Sequence, residues 1–172
     1  GFWAVGIGGG TGNPANLRVS DDLVKGVQQA DSPRRRVTDG EWYEGSWESR
    51  WNPYGGRLLQ VMIGTRWGRT DVQQDALEAG GWHCVILPGL FPRKPIEVPA
   101  GNRLEPDWRT EPDEPIAPEL PKLNQADLLK IRDGEGPERR GAMRPRRWAA
   151  LYGQQPQADE GGGVFRSWWF RV

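Results

Sequence analysis

The chain has 172 residues, 23 basic against 23 acidic side chains, 36% hydrophobic residues, one cysteine and one histidine. That length suits one domain, or one domain with an appendage, and the balanced charge excludes a global attraction to nucleic acid or membrane, so any such surface has to be local. Cys84 alone permits neither an intrachain disulfide nor a Cys-rich zinc site, and any His-based catalytic or metal site has to use His83. His83 lies in the apolar run WHCVIL, which favours a structural role. No apolar run approaches the roughly 20 residues a membrane span needs, and nothing like a secretory signal stands at the start.

GFWAVGIGGG reads as the middle of a strand running into a glycine turn, and it predicts a piece of a longer protein, truncated at the front. FWAVGI (2–7) is a short strand. GGGTGNPAN (8–16) is a glycine-rich turn that lacks the Gly-Lys-Ser/Thr ending of a phosphate loop. Leu17 to Ser20 forms a second short strand ending at Asp21 and Asp22. Adjacent carboxylates repel, so the pair either faces a positive charge such as a metal ion or merely caps the helix that follows.

Leu23 to Ala30 is a short helix or turn, broken by DSPRRR. Thr38 to Trp51 reads as helical, with Trp42, Trp47 and Trp51 near one face. NPYGG (52–56) is a turn. RLLQVMIGTRW (57–67) carries the strongest strand signal, and its near-continuous apolar run from Leu58 to Ile63 predicts burial on both faces. GRTDVQQDALEAGG follows as a helix, opened by Thr70 or Asp71 and closed by Gly80 and Gly81. WHCVILPGL (82–90) is the next strand. The alternation predicts an α/β domain with a parallel sheet. Ligands bind such sheets at the carboxyl ends of the strands. Asp21 and Asp22 sit at one such end; Thr65, Arg66 and Trp67 sit at another.

From Phe91 to Pro121 the composition shifts: eight of the fifteen prolines fall here, which predicts an irregular, exposed linker or lid. Asn124 to Arg132 is a short helix, and a second runs from about Pro145 to Gln154, with Pro145 in its first turn. Arg139, Arg140, Arg144, Arg146 and Arg147 form a dense basic cluster. Two readings of it stay open: a solvated helix start paired with nearby acids, or contacts to a phosphate backbone. The ten tryptophans are scattered and read as packing residues.

The pieces GIGGGTG, DDLVKG, QQADSPRRR…EWYEG, P-x-GG-x-LLQVMIGTRWGRTD, GWHCVILPG, a proline-rich link, a Leu-Leu-x-x-Arg helix, RRWAALYGQQP and GGGVFRSWWF follow in that order. Together they resemble the large terminase subunit of tailed bacteriophages, the motor that packages DNA into the capsid. Each motif is short; the order and spacing carry the resemblance. It implies a partial P-loop NTPase-type parallel sheet with flanking helices, followed by an irregular and helical linker. Residues 1–91 would be the C-terminal half of the ATPase core, 92–121 a proline-rich link, and 122–172 a helical connector to a nuclease domain outside this chain.

The resemblance implies ATP and Mg²⁺ as cofactors. LRVSDD matches the Walker B strand: Asp21 would hold the metal, and Asp22 would orient and activate the attacking water. GTRW matches the coupling motif, with Thr65 and Arg66 sensing the γ-phosphate. Asp71 is taken first as a helix cap. The implied partners are double-stranded DNA, contacted by the arginine cluster, with a small terminase subunit, a portal protein and a homo-oligomeric ring; no membrane is involved, and the location is the host cytoplasm. Three departures stand out. The P-loop lysine is absent, the nuclease carboxylates would lie beyond Val172, and Arg18 and Ser20 interrupt a strand that is usually wholly apolar. The chain alone is therefore expected not to hydrolyse ATP. The alternatives are a non-catalytic DNA- or protein-binding connector or remnant, and a metal-dependent nuclease that would need Asp31, Asp39 or Asp71 beside the aspartate pair.

Overall fold

The computed structural model describes residues 4–9, 14–49, 55–135 and 140–156. The chain is mixed α/β and divides into two compact units, 1–80 and 81–172.

In the first unit, strand β1 (Leu17–Asp21) pairs in parallel with β2 (Leu59–Ile63), with Leu17 opposite Leu59, Val19 opposite Val61 and Asp21 opposite Ile63. A parallel pair needs a long crossover. Here it is made by helices α1 (Val27–Ala30) and α2 (Pro33–Trp42) and a π-helical turn, Tyr43–Glu48. The segment DSPRRR breaks the chain between helices as expected, since α1 ends at Ala30, but it also starts the next one. Ser32 caps it by accepting the Arg35 N–H at 3.3 Å, and Pro33 takes the first turn, where its missing N–H costs nothing. The expected helix over 38–51 is thus the end of α2 plus the π-turn. Trp42 and Trp47, five residues apart, bring their rings to 5.4 Å; the i→i+5 bonding of a π-turn suits that spacing, where an α-helix would splay them. Trp51 lies outside the described residues.

The sheet inverts the expected burial. Leu17, Val19, Leu59, Val61 and Ile63 share the exposed face, while Arg18 and Ser20 are buried on the other. The prediction that β2 is buried on both faces is therefore wrong. A run of apolar residues reports the propensity for a strand, but which faces are covered depends on the segments packed against it. The covered face meets the π-turn: the Gln60 amide donates to the Tyr43 hydroxyl at 2.7 Å, and the Arg18 guanidinium lies 5.8 Å from the Trp47 ring centroid. Burial pushes the Tyr43 phenol up to about 12, and desolvation pulls Arg18 below its ordinary value. Helix α3 (Val72–Ala79) follows β2, as expected. The residues 4–7 expected as strand are instead irregular and enter a turn closed by the Gly9 N–H on the Gly6 carbonyl at 2.9 Å.

In the second unit, the strand expected over 82–90 shrinks to β3 (His83–Cys84), which pairs in parallel with β4 (Arg103–Leu104) in a sheet of its own. In place of the single parallel sheet implied by the alternation, the described residues form two two-stranded sheets. His83 is not interior; its imidazole is exposed and lies 2.6 Å from Glu105. The proline-rich stretch is irregular and largely exposed, as expected, but it is braced at one point. Arg109, whose side chain is fully buried, donates to the carbonyls of Pro88 (2.8 Å) and Glu114 (3.0 Å) and ion-pairs with Asp107 at 2.7 Å. Helices α4 (Gln125–Asp133) and α5 (Pro145–Leu151) also belong to this unit; Asn124 caps α4, and Pro145 opens α5, as expected. Leu128 of α4 is wholly buried. No helix among the described residues is long and apolar enough to cross a membrane.

Candidate functional site

Asp21 and Asp22 stand at the carboxyl end of β1, and Gly64, Thr65 and Arg66 at the carboxyl end of β2 beside it. Parallel pairing forces this, because both strands run the same way and end together. Two hydrogen bonds fasten the ends. The Asp22 N–H reaches the Ile63 carbonyl at 3.0 Å, and an Asp22 carboxylate oxygen accepts the Thr65 N–H at 3.3 Å. Asp22 holds φ 43°, in the left-handed region that non-glycine residues rarely adopt but aspartate tolerates. The turn this makes redirects the chain at the strand end.

The helix-cap reading of the aspartates fails on geometry. Helix α1 begins only at Val27, its N-cap is Gly26, and no side chain caps it. Both carboxylates are exposed. Asp71 is the genuine cap. It is 1% exposed and accepts the N–H groups of Gly68 (3.1 Å) and Gln74 (2.9 Å).

Of the residues singled out in the sequence, Asp22 and Thr65 are brought into contact, and Asp21 precedes them on the strand. Arg66 turns elsewhere: its guanidinium hydrogen-bonds the Gln74 side chain and lies 3.8 Å from the Asp71 carboxylate, so it is engaged with the start of α3. Arg139 lies outside the described residues. The other four arginines of the cluster belong to the second unit. Arg140, Arg144 and Arg147 are exposed, Arg146 is half-buried, and Arg140 and Arg146 have partners of their own. Among the described residues Arg144 and Arg147 carry no ion pair.

Gln73 was not singled out in the sequence. It is 6% exposed, and its side-chain carbonyl has no hydrogen-bond partner. Its amide nitrogen packs against the backbone at Gly64: a Cβ there would stand 2.5 Å from it and 3.6 Å from the Asp22 carboxylate. The glycine between strand and threonine is the one sequence signal of this close approach.

Among the described residues no three or more His, Cys, Asp or Glu side chains gather as a metal-binding group. Asp39 is bound to the Gln29 amide at 2.9 Å, and Asp71 is committed to α3, so neither joins the aspartate pair. A pair still fits Mg²⁺ bound with a nucleotide, which keeps several waters and uses one or two carboxylates plus the phosphates. Comparison with family models, with curated proteins and with solved structures gives no match to this chain.

Proposed function

We propose that this chain is part of an ATP-hydrolysing DNA-packaging motor of the large terminase type, with Asp21, Asp22 and Thr65 at its nucleotide site. One observation carries the reading: two exposed carboxylates at the end of one parallel strand, with Asp22 hydrogen-bonded to the backbone of Thr65 on the next. In phosphoryl transfer the protein chiefly positions groups and offsets charge. Asp21 would hold Mg²⁺, which when bound offsets charge on the phosphates. Asp22 would orient the attacking water and accept its proton. Because Asp22 is tied to Thr65, a shift of that carboxylate when the γ-phosphate leaves would move the start of the segment leading to α3. Arg66, held by Asp71 and Gln74, stiffens that segment in this reading rather than touching phosphate. Double-stranded DNA, a portal and a ring of copies enter as partners of the motor.

The test is made in a longer polypeptide that joins this chain to a P-loop segment, as the reading requires. Asp22→Asn should abolish ATP turnover while largely sparing nucleotide binding, and Asp21→Asn should weaken the Mg²⁺ dependence of binding. Normal turnover in the Asp22→Asn protein sinks the reading. Mg²⁺-dependent turnover by the isolated chain would refute only the expectation that it is inactive by itself. A second reading, a connector that grips DNA without hydrolysis, is favoured by the exposed Arg144 and Arg147, which carry no ion pair among the described residues. It requires duplex binding that weakens steeply with salt.

A further inference from the structure

The second unit holds a cavity of about 170 Å³, close to the roughly 150 Å³ of an apolar cavity that takes a benzene ring. Aromatic rings form much of it. Phe91 lines it, and Trp148 and Tyr152 present rings stacked 4.9 Å apart at 20°. Charge is concentrated beside them. Asp113 is held from two sides, by Arg93 at 2.6 Å and Arg132 at 2.6 Å, and Arg132 also meets Asp133 at 2.9 Å. Of the two guanidinium groups that line the cavity, Arg93 is 71% exposed and Arg132 27%.

The cavity is built rather than incidental. The Gly89 N–H donates to the Tyr152 carbonyl at 2.7 Å, and Phe91 and Asp113 exchange backbone bonds with the opposite loop at 2.8 and 3.0 Å. The buried Arg109 braces the same loops from behind by its bonds to the Pro88 and Glu114 carbonyls. A site prepared in this way loses little conformational freedom on binding.

We propose that this cavity binds a single nucleobase with its phosphate, the ring stacked against Trp148 and Tyr152 and the phosphate on Arg93 and Arg132. Stacking is tolerant of base identity because every base has a π-face. The Asp113 carboxylate and the Gln155 amide offer an acceptor and a donor to the base edge, which an aliphatic peptide side chain would not use. The base has to be unpaired, so the ligand is a free mononucleotide or a nucleotide in a single strand. The chemistry at Asp21 and Asp22 plays no part in this.

The test uses the full chain and a fluorescein-labelled octathymidylate, read by anisotropy, with thymidine monophosphate and a duplex of equal length as competitors. Saturable binding is expected, falling about sevenfold between 50 and 200 mM salt if two phosphate contacts are made. Trp148→Leu should weaken it about tenfold. Arg93→Ala, at an exposed position, should weaken it severalfold and flatten the salt slope by about 0.7. Displacement by the monophosphate identifies a mononucleotide site; resistance to it identifies a single-strand site. The proposal is overturned if no strand or nucleotide binds at low salt, if the duplex competes as well as the single strand, or if an apolar peptide occupies the cavity instead. It also fails if Arg93→Ala, with unchanged circular dichroism, binds like the parent chain.

Discussion

Replacing Arg109 with methionine probes the brace under the proline-rich segment. The side chain is fully buried and spreads its donors over Asp107 and the carbonyls of Pro88, Gly89 and Glu114. The losses are unequal. Glu114 keeps a bond from the Phe91 N–H at 2.8 Å, and Gly89 keeps one from the Ile116 N–H at 2.9 Å. The Pro88 carbonyl loses its bond from Arg109, which costs about 1–3 kcal/mol for a buried acceptor. The Asp107 carboxylate loses its counter-ion in a site only 12% exposed. Breaking a buried pair by removing one partner costs about 3–5 kcal/mol in total. The packing of the guanidinium 5.8 Å from Phe91 and 5.7 Å from Trp108 is lost as well. Methionine fills much of the volume, so the expected net loss is about 4 kcal/mol. Arg109→Lys keeps the charge but not the fork and should lose less. Hydrogen exchange at the Phe91, Asp113 and Ile116 amides reads the result locally. Those amides should open several hundredfold more readily in the methionine chain, since each 1.4 kcal/mol is tenfold. Unchanged protection there, or a loss below about 1 kcal/mol in urea unfolding, would refute the assignment of Arg109 as the brace.

Asp71→Ala removes the cap of α3 and leaves the Arg66 guanidinium, 16% exposed, without its nearest carboxylate. A loss of about 3 kcal/mol is expected in denaturant titration, and a loss under about 1 kcal/mol would mean the cap matters but the ion pair does not. Acid should unfold the second unit selectively. Hydrogen bonds from Arg93 and then Arg132 hold the Asp113 carboxyl below its ordinary 3.8, and those from Arg109 do the same for Asp107. Their folded values are depressed, so the stability they add is present above pH 3.8 and is lost as the pH falls through the folded values. Melting temperature should hold from neutrality to about pH 4 and drop below it, with Arg93→Ala flattening the drop; a profile unchanged by that substitution contradicts the assignment. The buried Tyr43 works at the other extreme. Its folded value is raised from 10.0 to about 12, so stability present below pH 10 is lost as the pH rises toward 12. An ultraviolet titration should show one phenol ionising near pH 12, and Tyr43→Phe should remove it.

Three helix starts were legible from near neighbours in the sequence. Asp71, Asn124 and Pro145 open α3, α4 and α5 as their positions predict, because a cap is made within three or four residues of chain. The strand–helix–strand order before α3 also placed Asp22 and Thr65 at strand ends, and parallel pairing then leaves them side by side. The break at DSPRRR was legible too, and what was missed is that Ser32 and Pro33 also start a helix there, although proline both ends helices and opens them. Tertiary structure alone decided the rest. Arg18 and Ser20 face inward and Leu17, Val19, Val61 and Ile63 face outward because of where the π-turn lies, some 25 to 30 residues away from β1 in the chain. Arg109 is a buried brace, and Trp148 and Arg93 share a cavity, through contacts that span 20 residues or more. Alternation and capping are local, so they can be read along the chain; burial and charge pairing are set by which distant segments meet, and no local pattern encodes that choice.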